Sequence, residues 1–145
     1  MKAVLGVCLG LSVLVSCGPG KAETQKKQQE DLAAEVLAIH DEVMPKTGEM
    51  MKLRKQVKTK LNEWTADAAH DHTEHIRKAT ALIADLEAAD KEMMDWMHTY
   101  NGAQGLYEHD EIIAYLGEEK DKIRKVEEKT DRAIASARQF VEENK

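Results

Sequence analysis

Aromatic side chains are scarce in this chain, with one Phe, two Trp and three Tyr among 145 residues, while 33% of the residues are charged. With 42% hydrophobic residues, mostly aliphatic, this is the composition of a helical bundle and of one domain. Proline is nearly missing too. Pro19 and Pro45 both fall in the first third, so nothing after Pro45 is forced to bend. A formal net charge of -6 excludes nucleic-acid binding, which needs clustered Lys and Arg. There is no Gly-x-Ser-x-Gly, no phosphate loop and no His-Glu-x-x-His, so the sequence points away from an enzyme and assigns no catalytic residue. The one long apolar run, Ala3 to Val15, is too short for a permanent membrane span.

Cysteine is as rare, and its placement is informative. Residues 1–16 have a secretory pattern, with Lys2, then the apolar run, then Leu14-Val15-Ser16-Cys17. That tetrapeptide resembles the lipobox of bacterial lipoproteins, which implies cleavage before Cys17 and acylation of its thiol, palmitate among the chains. Two or more acyl chains make a stable anchor where one is marginal. Cys8 leaves with the signal, so no disulfide is expected and stability must come from packing. Gly18, in place of an Asp, implies by envelope-sorting rules the outer membrane, with the domain facing the periplasm. Residues 17–30 are expected to be a lipid-anchored tether: Gly18 to Glu30 is polar with no apolar periodicity, with helix expected only toward its end.

Residues 31–145 are expected to form an all-α fold, an antiparallel three-helix bundle of long, coiled-coil-like helices. The first helix, Asp31 to Trp64, places Val36, Val43, Met50, Val57 and Trp64 at heptad spacing, with a kink at Pro45. The second opens near Asp71 and Glu74 and runs to Tyr100 along the stripe Ile76, Ala79, Ile83, Leu86, Asp90, Met93, Met97, Tyr100. After a break at residues 101–105, the third runs from Glu108 to Glu143 along Ile112, Leu116, Glu119, Ile123, Val126, Thr130, Ala133, Ala137, Phe140. Sequential helices joined by short turns pair with partner numbers of constant sum. One constant matches Val43 to Met93 and Met50 to Leu86; a second matches Leu86 to Ile123 and Ile83 to Val126. Together they predict a structural ion layer in which Lys46, Asp90 and Glu119 lie abreast, a device for fixing register. The same stripes pairing between two chains would give a homodimer.

Two clusters carry metal-ligating side chains. Met93-Met94-Asp95-Trp96-Met97-His98 should lie against His40 and Met44, and soft thioether with imidazole suits Cu(I) or a heme iron. Core packing leaves His40, Met44, Met51, Met94 and His98 spare, and of these His40, Met44, Met94 and His98 form the alternative metal set, with copper as its ion. His70-Asp71-His72-Thr73-Glu74-His75 gathers three imidazoles around a turn, where His72 and His75 could share a divalent ion with Glu74 or Asp71.

Three blocks, Ile39-His40-Asp41-Glu42-Val43-Met44-Pro45-Lys46, then Met93 to Met97, then Tyr115-Leu116 with Lys120 to Val126, occur in this order. With them the chain resembles a group of small Bacteroidetes lipoproteins often labelled viral A-type inclusion proteins. The resemblance covers most of the chain after residue 16 and implies a coiled-coil-like lipoprotein with no known activity, substrate or cofactor. Thr47 departs from the group, where a more apolar residue is expected, and so do Gly102 to Gly105, where proline is common. The expected function is therefore a membrane-anchored, non-enzymatic interaction or structural module of the envelope, with another envelope protein as partner and no cofactor beyond the lipid on Cys17. The alternative is a Met/His metal-binding lipoprotein.

Overall fold

A computed structural model of the chain describes residues 20–144, so the signal segment 1–16 and Cys17 lie outside the described residues. Among those described, every regular element is helical. They are α1 (Lys21–Val43), α2 (Lys46–Ala66), α3 (Thr73–Thr99) and α4 (His109–Glu143). Helices α1 and α2 together are the expected first helix. Met44 and Pro45 keep right-handed helical dihedrals between them, so three helical rods pack together. Pro45 has no amide hydrogen to donate to the carbonyl four residues back, which interrupts the ladder without reversing the chain. Thr47 repairs part of the break. Its amide (3.2 Å) and its hydroxyl (2.8 Å) both donate to the Met44 carbonyl, and the apolar residue expected there would lack the hydroxyl's bond.

Helix α1 starts ten residues ahead of the expected boundary, and residues 21–30 are helical throughout where a tether turning helical only toward its end was expected. The segment lacks an apolar stripe but is rich in Lys, Glu, Gln and Ala, which favour helix through side-chain freedom. Lys26 and Lys27 face Glu30 and Asp31 one turn on, at 3.6 and 2.8 Å. Gln29 reaches His109 at the start of α4, 3.1 Å away, so the segment packs rather than dangles.

The faces follow the sequence pattern closely. Val36, Val43, Met50, Leu53 and Val57 are buried on α1 and α2, and Leu116, Glu119, Ile123, Val126, Thr130, Ala133, Ala137 and Phe140 on α4. On α3 the buried face is rotated slightly from the expected stripe. Ala89 and Trp96 are buried, while Asp90 and Met97 are only half-buried.

The axial offset of α4 differs from the expected one. Leu86 and Ile83 were matched to Ile123 and Val126, but they share a core cluster with Ala133, Ile134, Ala137 and Phe140. Ile123 and Val126 instead join Met93, Trp96, Val36 and Val43. Glu92 is ion-paired with Lys129, which displaces α4 by roughly ten residues, or ~15 Å, from the expected register. Size complementarity explains the choice. The expected register sets Ile and Leu against Ile and Val but Ala79 against Thr130, crowding some layers and leaving voids in others. The observed one gives Ile83 and Leu86 the small partners Ala133 and Ala137, and gives Ala79 and Ala89 a cluster that holds Phe140.

The offset is accommodated by the loop. Asn101 N–H donates to the Tyr115 hydroxyl at 3.1 Å, so the chain leaving α3 is already level with the second turn of α4 and must climb to His109. It does so through left-handed residues Gly102 (φ 64°), Ala103 (φ 64°) and Gly105 (φ 86°). Asn101 Oδ1 holds Ala103 in that conformation by accepting its amide at 3.0 Å.

Zero-length carbodiimide crosslinking of carboxylates to lysines tests this register directly. Peptides joining Glu92 to Lys129, Lys46 to Asp131 and Glu35 to Lys120 are expected by mass spectrometry. Recovery of links that instead join the Asp90 region to that of Glu119 would restore the other offset.

Candidate functional site

The slip of α4 takes the expected ion layer apart. Lys46 Nζ lies 2.6 Å from Asp131, on the face that α2 shares with α4. Glu119 is carried toward the other end, where its side chain is 4% exposed and one oxygen accepts from Lys122 at 2.6 Å. Its second oxygen, Oε2, is buried with no hydrogen-bond partner. Asp90 is half-buried, and neither Lys46 nor Glu119 is its ion partner. Lys46, Asp90 and Glu119 are thus separate features, because matching charge to charge ignored the sizes of the apolar residues on either side.

The alternative metal set is not assembled either. His40 turns inward, with Nε2 3.3 Å from Met97 Sδ and its ring 5.7 Å from Trp96. Met44 packs against the same core cluster. Met94 and His98 lie on the exposed side of α3, where His98 Nδ1 donates to the Met94 carbonyl at 2.6 Å. Seven residues separate Met97 from Asp90, two helical turns, so both share a face with Met93, and Met97, not Met94, meets His40.

The side chains that do converge are at the turn between α2 and α3. Asp67, the first residue after α2, has extended dihedrals (φ -83°, ψ 90°) that swing its carboxylate over the turn. Ala69 N–H donates to Oδ1 at 3.0 Å, while His70 Nδ1–H and His72 Nε2–H both donate to Oδ2 at 2.9 Å. The ligating atoms of Asp67, His70 and His72 all lie within 4.8 Å of one another. The hydrogen bonds from His72, His70 and the Ala69 amide hold the Asp67 carboxyl far below the usual carboxylate range. His72 is half-buried against Trp64, ring centroids 6.1 Å apart. Trp64 is also edge-on to Phe140 at 5.7 Å and 4.9 Å from His75, so aromatic packing from α2, α3 and α4 fixes this end of the protein.

The imidazoles were legible in the sequence but their carboxylate was not. Glu74 was a candidate, yet it grips Arg77 through two bonds of 2.8 and 2.7 Å. Asp71 instead accepts the Thr73 amide at 3.0 Å, an Asx-turn bond just ahead of α3. The overlooked signal is Asp-x-x-His-x-His, Asp67 with His70 and His72, in which the acid closes a helix and the imidazoles return to it.

Comparison with other proteins adds no assignment: no family model matches the chain, and no curated protein or solved structure matches it.

Two outcomes follow from this geometry. Because the Asp67 pKa is depressed on folding, its contribution to stability is present above the ordinary carboxylate range, near pH 4, and is lost as pH falls further. The melting-temperature difference between the wild type and Asp67→Asn should therefore shrink steadily from pH 5 to pH 2; a constant difference contradicts it. At Glu119, Lys122→Ala strands a buried carboxylate and should cost ~1–3 kcal/mol. Glu119→Leu, which removes the buried charge altogether, should melt at or above wild type in a calorimeter.

Proposed function

We propose that the chain is a lipid-anchored, non-enzymatic helical module of the bacterial cell envelope, held on the outer membrane through Cys17 and facing the periplasm. Its architecture in this reading is an antiparallel three-helix bundle with coiled-coil-like seams. Opposed pairs such as Lys58 with Glu87, at 3.3 Å, and Glu92 with Lys129 support that architecture. The residues Leu14 to Cys17 and the resemblance to small Bacteroidetes lipoproteins support the anchor. No described helix is long and apolar enough to cross a membrane, so membrane attachment in this reading rests on the acyl chains.

One observation gives the reading its mechanical content. Helix α1 begins at Lys21, so only Gly18, Pro19 and Gly20 separate the anchoring cysteine from a packed helix. Three residues reach at most ~10 Å, so the bundle is held close to the lipid surface and cannot roam on a long leash. From Lys21 to Ala66 the α1–α2 rod extends ~65–70 Å at 1.5 Å per residue, carrying the Trp64 end away from the anchor. The module is thus a strut that presents its far turn to an envelope partner at a set height.

Metabolic labelling with an alkyne palmitate, read by in-gel fluorescence, tests the anchor. The wild type should take up label and sediment with outer membranes, and Cys17→Ser should take up none. An unlabelled wild type, or a labelled serine variant, would overturn the reading.

A further inference from the structure

We propose that Asp67, His70 and His72 form a binding site for a divalent first-row transition metal of the zinc class, at the end of the bundle remote from α1's start. Imidazole nitrogens and a carboxylate oxygen are the donor types such ions take, and softer thiolate or thioether donors are not needed. The donor atoms point to one place. His70 offers Nδ1 and His72 offers Nε2 to one carboxylate oxygen, each 2.9 Å from it. In a tetrahedral zinc site with bonds of ~2.0–2.2 Å, neighbouring ligand atoms are roughly 3.3–3.5 Å apart. An ion enters in place of the two hydrogen-bond protons, which widens each nitrogen–oxygen separation by about half an ångström, while the three atoms already lie within 4.8 Å of one another. Water completes the coordination on the exposed side of His70.

The supporting shell is already in place. The Ala69 amide fixes Asp67 through Oδ1, leaving Oδ2 free to turn to a metal. The Trp64 ring backs His72 and limits its rotation. Such contacts orient ligands before the ion arrives and usually matter tenfold or more to affinity. The turn is short, Asp67 to His72, and both ends are locked in helices, which lowers the ordering cost of binding. His75 is a neighbour rather than a ligand: the ligating atoms that converge are those of Asp67, His70 and His72, and the His75 ring is packed against Trp64. The site stands independently of the lipid anchor.

The two tryptophans report on where an ion binds, since Trp64 adjoins this turn and Trp96 adjoins His40 near the opposite end. The full chain, purified in detergent, would be titrated with Cu(II) or Ni(II), which quench nearby indole fluorescence, and then with Zn(II) as a silent competitor. The Trp96→Phe chain, retaining Trp64, should be quenched at one equivalent and recover with Zn(II). The Trp64→Phe chain, retaining Trp96, should not be quenched. Zn(II) should raise the melting temperature of the wild type. His70→Ala, an exposed change that leaves the helices intact, should weaken binding at least tenfold, as should His72→Ala. His98→Ala should leave it unchanged. Quenching confined to Trp96, affinity that survives both His70→Ala and His72→Ala, or binding only at millimolar metal would overturn the assignment.

Discussion

The seam between α3 and α4 governs the rest of the molecule. Its members alternate in size, with Ala79 and Ala89 on one helix and Ala133, Thr130 and Ala137 on the other, between Ile83, Leu86, Met93, Ile123, Val126 and Phe140. Close-packed interiors tolerate neither a void nor an overlap of a methylene without cost, so this alternation selects one axial offset among several that would bury the same stripes. Once α4 is fixed against α3, its first turns extend beyond the end of α3 and would expose Leu116 and its neighbours to water. Helix α1 runs alongside these turns. The bond from Gln29 to His109 and the ion pair of Glu35 with Lys120 lie along that contact.

The scarcity of aromatics acquires a meaning in this frame. Trp64 and Phe140 close one end. Trp96, Tyr100 and Tyr115 stack at the other, at 4.8 and 6.4 Å. The middle of the bundle is aliphatic and small, which lets the helices approach closely, while flat rings fill the ends where helices part and loops begin. Each aromatic end also organises polar chemistry. Trp64 orients His72, and Trp96 holds His40 beside Met97. The indole nitrogen of Trp96 and Oε2 of Glu119 are buried without partners, so that end also carries desolvated polar atoms whose cost the surrounding packing must offset.

What the sequence discloses is the face of each helix, and what it conceals is height along the axis. Apolar residues at steps of three and four fix a face whatever the neighbour is, so Val36 through Val57 and Leu116 through Phe140 are legible from spacing alone. Sliding one such stripe by two or three turns returns apolar residues to apolar partners, so matching apolar to apolar or charge to charge cannot set the offset. Lys46, Asp90 and Glu119 were aligned by that weaker criterion, and side-chain volume overrules it. Residues 21–30 were obscure for the opposite reason. They carry helix propensity without a stripe, and only the displaced α4 supplies them with something to pack on. Asp67 was hidden because its part depends on a turn in which His70 and His72 come back over a helix end, a geometry that no linear period encodes.

The same offset decides which polar groups become neighbours, and so links packing to chemistry. Where α4 is placed, Phe140 reaches Trp64 and braces the turn that carries Asp67, His70 and His72. A shift of α4 by ten residues would take Phe140 away from Trp64 and leave His72 backed by a loose indole. The turn's donor atoms would then keep their sequence spacing but lose the shell that aims two imidazoles at one oxygen. Small residues such as Ala133 and Ala137, which bear no functional group, therefore position the imidazole–carboxylate cluster as firmly as the turn residues do. A Leu at either position, by forcing α3 and α4 apart, should loosen the cluster from a distance before it unfolds the bundle.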